Sequence, residues 1–155
     1  PDLLLVHSLL TEMTVFAGVL PALAAHHRVT RLNLPGFGDS SAVALDSVGA
    51  YADHVAQAMD ALDLPRDTAV FGNGFGAFVV VSLAIRHGPR FGRMLVADVV
   101  PAFPEAARAP FRMMAEKVRA GGMQTVLDAA IGRMLPPDFA AAHPDVVAER
   151  KRRLG

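Results

Sequence analysis

The stretch whose residue types and spacing could do chemistry is Phe71-Gly72-Asn73-Gly74-Phe75-Gly76-Ala77. An apolar run, Thr68 to Phe71, leads into three glycines at alternate positions, and a helical apolar pattern begins at once, from Phe75 through Ile85. Glycine is used where backbones pass closely or where φ must be positive. The spacing Gly72-x-x-x-Gly76 fits the nucleophile elbow G-x-S-x-G, which lifts one side chain above a parallel sheet and aims a helix N-terminus at it. The middle residue of that pattern is a nucleophilic serine; here it is Gly74, so the mount for a reactive group is present without the group. The competing reading is a tight turn in a nucleotide-binding α/β protein. It fits less well: the spacing is not G-x-G-x-x-G, and the acid expected about 20 residues on finds only a loosely placed Asp98.

Other candidate groups are weaker. Asp39 suits an Asx-type turn. His26, His27, His54, His87 and His143 show no metal-ligand spacing with carboxylates, and His26-His27 reads as a solvated helix end. Ser82 lies mid-helix, away from the elbow mouth. The run Arg150-Lys151-Arg152-Arg153 reads as a solvated face, because charge elsewhere is balanced. Phe111, Met113, Met114, Met123 and Met134 suit either an apolar substrate pocket or simple packing.

These groups need a scaffold, and the composition supplies one. A chain of 155 residues can form a domain with a real core. Apolar residues at 52% and charged residues at 19% predict a packed globule rather than disorder. The formal net charge of zero removes the field argument for a nucleic acid or anionic membrane partner. There is no cysteine, hence no disulfide framework and no thiol nucleophile, which is compatible with a cytoplasmic location. No apolar run reaches membrane-spanning length, and Leu3-Leu4-Leu5-Val6 lacks the basic flank of a signal segment.

The chain alternates strand and helix patterns. Leu3–Val6 is a short continuous apolar run, the pattern of a strand buried on both faces. His7-Ser8-Leu9-Leu10-Thr11 is a loop. Thr14–His27 reads as a helix with Val15, Phe16, Val19, Leu20 and Leu23 on one side and a kink or break at Pro21. Arg28–Leu34 is a second strand, ending in the turn-rich Pro35-Gly36-Phe37-Gly38-Asp39-Ser40. Ser47 is an N-cap for a helix to about Leu62, with Val48, Tyr51, Val55, Ala58, Met59 and Leu62 as its stripe. Thr68–Phe71 and Arg93–Val99 are the third and fourth strands, the latter with Met94-Leu95-Val96-Ala97 as its core. This alternation predicts α/β architecture: a parallel sheet with helices on both faces. Beyond Pro101 the strand pattern stops. Pro104 and Pro110 punctuate the next stretch, then helices are predicted over Phe111–Ala120, Met123–Leu135, Asp138–His143 (or a turn) and Pro144–Leu154. The expectation is a core over 1–103 and a helical cap or lid segment over 104–155.

With these residues in view, the chain resembles the N-terminal part of an α/β-hydrolase. The resemblance rests on three stretches in order: Leu4-Leu5-Val6-His7-Ser8-Leu9, Asn33-Leu34-Pro35-Gly36-Phe37-Gly38-Asp39-Ser40, and Gly72-Asn73-Gly74-Phe75-Gly76. His7-Ser8-Leu9 and Val99-Val100-Pro101-Ala102-Phe103-Pro104 are, more narrowly, similar to 3-oxoadipate enol-lactonases. The resemblance implies hydrolysis of a small ester or lactone: a serine attacks the carbonyl, a histidine takes its proton and an acid orients the histidine. It implies an oxyanion hole from the backbone N–H groups of Phe75 and Leu9, with Gly72, Asn73 and Gly76 shaping the elbow. It implies no cofactor and no metal. His7 becomes either catalytic or, the preferred reading, a loop-ordering residue. Asp98, closing the fourth strand where a minority of the family carries its acid, is a candidate acid or a polar residue satisfying the strand end.

Three departures qualify what the resemblance implies. Gly74 replaces the nucleophile, the family's acid and histidine follow the serine in chain order on later strands, and the family usually has two strands before the first one here. The expectation is therefore a partial chain, inactive through position 74, with a non-catalytic small-ligand-binding protein as the alternative. Unpaired sheet edges predict self-association. The reading also expects Gly74 to border a cavity.

Overall fold

The computed structural model describes residues 1–155. They form two compact units, Pro1–Val99 and Val100–Gly155. The first is built on four parallel strands, β1 (Asp2–Val6), β2 (Arg28–Leu32), β3 (Ala69–Asn73) and β4 (Arg93–Ala97), in the order β2-β1-β3-β4. The register sets Leu4 beside Val70 and Val6 beside Gly72, which brings the loop after β1 level with the turn after β3.

One sheet face is sealed by α2 (Val48–Ala61) and α3 (Phe75–His87), which pack on each other. Side chains alternate between faces of a strand. Leu4, Val6 and Val70 therefore meet Ala52, Val55, Met59, Val79, Val80 and Leu83 in one core. Ser47 caps α2, its hydroxyl accepting from Ala50 N–H at 3.2 Å. Asp53 on α2 takes the Arg86 guanidinium in a bidentate pair at 2.8 and 2.6 Å and His87 Nε2 at 2.7 Å. The Arg86 hydrogen bond, then the His87 one, hold the Asp53 carboxyl down to about 2. The opposite face carries a 3-10 turn, Met13–Phe16, and a short α1, Leu20–Ala24. They leave a cleft of about 560 Å³ lined by Leu3, Leu5, Phe16, Leu23, Phe71 and Leu95 among others.

The predicted elements are present, with corrections at their margins. The 14–27 segment does break into two short pieces; Pro21 opens the second, where its missing N–H costs nothing. Val48 and Leu62 are exposed, so the buried stripe of α2 is Ala52, Val55, Ala56 and Met59. Met94 and Leu95 are 45% and 66% exposed rather than core, because β4 is an edge strand.

In the second unit α4 runs Glu105–Gly121, six residues longer at its start than predicted, with Pro110 inside it. A 3-10 turn, Met123–Thr125, precedes α5 (Leu127–Met134), and α6 (Pro137–Ala142) and α7 (Pro144–Leu154) follow. Val126, Ala130 and Ile131 are its buried residues, and α5 packs on α7. No helix is long and apolar enough to cross a membrane.

Candidate active site

The turn from β3 to α3 is made by Gly74, at φ 54° and ψ −118°. That is backbone an L side chain rarely adopts, and it matches the strained turn that displays an elbow nucleophile. Gly74 N–H donates to Ala97 O at 3.0 Å, tying the turn to the end of β4. Its carbonyl accepts from Ala77 and Phe78, which starts α3. The flanking glycines are fixed by close approach. A Cβ on Gly72 would lie under 3.0 Å from the Gly76 carbonyl, and one on Gly76 under 3.0 Å from the carbonyls of Val6 and His7. Helix α3 can therefore start hard against β1 only with these residues bare. Asn73 closes β3 opposite Ala97.

Gly74 is buried, and Ser8 lies against it. A Cβ added at Gly74 would fall under 3.0 Å from Ser8 Oγ and 3.0 Å from Ser8 Cβ. Ser8 Oγ also accepts the N–H of Phe75, the first residue of α3, at 3.3 Å. So a hydroxyl from the loop after β1 stands where a side chain at position 74 would stand. Asp98 is the next group out: its Oδ2 lies 3.9 Å from the same Cβ point, and its backbone is left-handed at φ 58°. Leu9 lies in the turn following Ser8, and Leu10 takes φ 60°.

The loop is set by His7, which is fully buried. Leu34 N–H donates to His7 Nε2 at 3.0 Å, so the ring proton sits on Nδ1 and is donated to Ser8 O at 2.9 Å. Thr11 Oγ1 donates to the same carbonyl at 2.8 Å. Phe37 meets the imidazole edge-on, with ring centroids 5.0 Å apart. Burial pushes the His7 pKa down, against smaller opposing effects of the Ser8 hydrogen bond and the Glu12 charge. Both ring nitrogens are engaged, which bears out the loop-ordering reading over the catalytic one.

The elbow, the Ser8 loop and Asp98 thus come together in the first unit. Gly72, Gly74, Phe75 and Gly76 were legible in sequence; Ser8 was not, since its partner at Phe75 lies 67 residues away.

Residues 1–132 match the α/β-hydrolase fold family, and the chain belongs to it. It is 33% identical over 121 residues to a pimeloyl-[acyl-carrier protein] methyl ester esterase of Aeromonas hydrophila, covering 78% of this chain and 46% of that one. It is 33% identical over 99 residues to a 2-hydroxymuconate semialdehyde hydrolase of a Pseudomonas species, covering 61% and 35%. Among solved structures it resembles an esterase from Thermogutta terrifontis (TM-score 0.85, 25% identity, 99% of this chain and 57% of that chain). It also resembles the enol-lactonase from Burkholderia xenovorans (TM-score 0.83, 25% identity, 99% and 58%). The chain spans less than half the length of the curated relatives it matches.

Proposed function

We propose that the elbow is an acyl site for a small carboxylic ester or lactone, of the enol-lactonase kind, with the carbonyl oxygen received by the amides of Phe75 and Leu9. The observation that carries this reading is the φ 54°, ψ −118° turn of Gly74 between β3 and the head of α3. The family displays its nucleophile on a strand-to-helix turn of this kind. The esterases and the enol-lactonase among the relatives support it. With glycine at position 74 the family's hydroxyl is lost there, so serine chemistry does not run from that position.

A second reading is a non-catalytic pocket for a small carboxylate or ester. Ser8 lying over Gly74 favours it, because the space for a nucleophile is already taken. In either reading the partner is a small molecule, not nucleic acid or membrane; residues 104–155 act as a cap, and the protein works in the cytoplasm.

The test exchanges the two positions, Ser8→Gly with Gly74→Ser, which removes the clash while restoring the hydroxyl. Exposed to p-nitrophenyl acetate, the folded exchange variant is expected to acquire one acetyl group at position 74, with matching release of nitrophenolate. A folded variant that stays unmodified contradicts an acyl site. Calorimetric binding of a lactone by the unaltered chain without any ring opening would favour the second reading.

A further inference from the structure

We propose that Ser8 is itself a nucleophile, a hydroxyl delivered to the elbow from the loop after β1 in place of the one missing at Gly74. The inference rests on the acyl-site reading and adds the residue that would react.

Three observations on independent elements carry it. Ser8 Oγ lies under 3.0 Å from the point a Cβ at position 74 would occupy, so the hydroxyl is presented beside the place where the elbow is built to present one. The Phe75 N–H at the head of α3 donates to that oxygen, and a helix N-terminus favours negative charge developing there. The loop is held from behind: the Ser8 carbonyl takes two hydrogen bonds, from His7 Nδ1 and Thr11 Oγ1, and His7 is in turn anchored by Leu34 N–H. A half-buried serine on an unrestrained loop would have no such fixed direction. His7 and Thr11 are positioning residues; neither touches the reacting oxygen.

The proposal assigns the proton to Asp98, the carboxylate whose Oδ2 lies 3.9 Å from the point a Cβ on Gly74 would take. His7 cannot serve, since Nε2 accepts from Leu34 and Nδ1–H is donated to Ser8 O. The step is ordinary acyl transfer. Ser8 Oγ bonds to the acyl carbon, and the bond from that carbon to the ester oxygen breaks. The Oγ proton passes through the Asp98 carboxylate to the departing oxygen, which leaves as the alcohol. Once Oγ is an ester oxygen its hold on Phe75 N–H weakens, and the amide is released to the carbonyl oxygen. Water then takes the acyl group as a carboxylic acid and returns a hydrogen to Ser8. The geometry suits unhindered, activated acyl groups, because Ser8 is itself only half exposed.

The test uses the unaltered 155-residue chain, Ser8→Ala, Ser8→Cys and the exchange variant, each checked for folding by circular dichroism. All but Ser8→Cys are treated with a fluorophosphonate and mapped by peptide mass. The proposal expects an adduct on Ser8 of the unaltered chain that falls to background in Ser8→Ala. It also expects Ser8→Cys to be alkylated by iodoacetamide with a pH midpoint below the usual thiol value of about 8.5, as a thiolate facing a helix N-terminus requires. If the exchange variant is labelled at position 74 while the unaltered chain is not labelled at Ser8, the nucleophile assignment is overturned and the acyl site stands. If neither is labelled, both fall. Undiminished labelling of Ser8→Ala, or an ordinary thiol midpoint in Ser8→Cys, also overturns the assignment.

Discussion

At the residue scale, the candidate site is organised by a buried histidine whose two ring nitrogens are both engaged. His7 spans from Leu34 N–H to Ser8 O while fully buried, and burial lowers its pKa. The folded chain therefore resists protonation at a pH where the unfolded chain accepts it. Stability from this source is complete above about 6.5 and is lost as pH falls through that value towards the lower folded pKa. The loss runs at no more than about 1.4 kcal/mol per pH unit. Denaturant unfolding at pH 7.5 and 5.5 is expected to show the decline, and His7→Asn, though less stable at both, to show a smaller one. An equal decline in the variant would remove His7 as its source. What could be read of the site in advance divides along the same line. The elbow glycines answer to neighbours a few residues away and to the strand beside them, so their spacing announces them. The seat of Ser8 depends on β1 and β3 lying side by side in register, a fact that no local pattern encodes.

At the element scale, the contact that matters is between α3 and β1. Gly76 lets the first turn of α3 touch the carbonyls of Val6 and His7. Gly76→Ala must push backbone against backbone, at the upper end of overpacking costs, about 3 kcal/mol. Urea unfolding is expected to show that loss, whereas Gly132→Ala, inside α5 with nothing near its Cβ, should be neutral or stabilising by up to about 1 kcal/mol. Equal effects at the two positions would mean that α3 is not pinned to β1 as described. Strand and helix alternation was legible because each element carries its own period. Two boundaries were not. Residues 105–110 look irregular because Pro110 forfeits a helical hydrogen bond, yet α4 continues through it. The apolar run Met94–Ala97 reads as a buried strand, because a sequence does not say which strand lies at an edge.

At the scale of the whole molecule, β2 and β4 are the outer strands of the four-stranded sheet, and β4 carries the exposed Met94 and Leu95. An unpaired edge flanked by apolar side chains is a template for another chain. We propose that the 155-residue chain associates through this edge. Light scattering is expected to report a mass above the 16.4 kDa of one chain, and Leu95→Lys to shift the distribution towards monomer. A monodisperse monomer at high concentration would refute the association. The family relationship fixes the fold, and the proposed acyl chemistry rests on the elbow.

The most direct measurement of that link is the intact mass of the Ser8→Gly, Gly74→Ser exchange variant after exposure to p-nitrophenyl acetate. An acyl site predicts a single acetyl group mapped to position 74. A folded variant whose mass does not change, or whose acetyl group maps to a lysine or another surface residue, would contradict it.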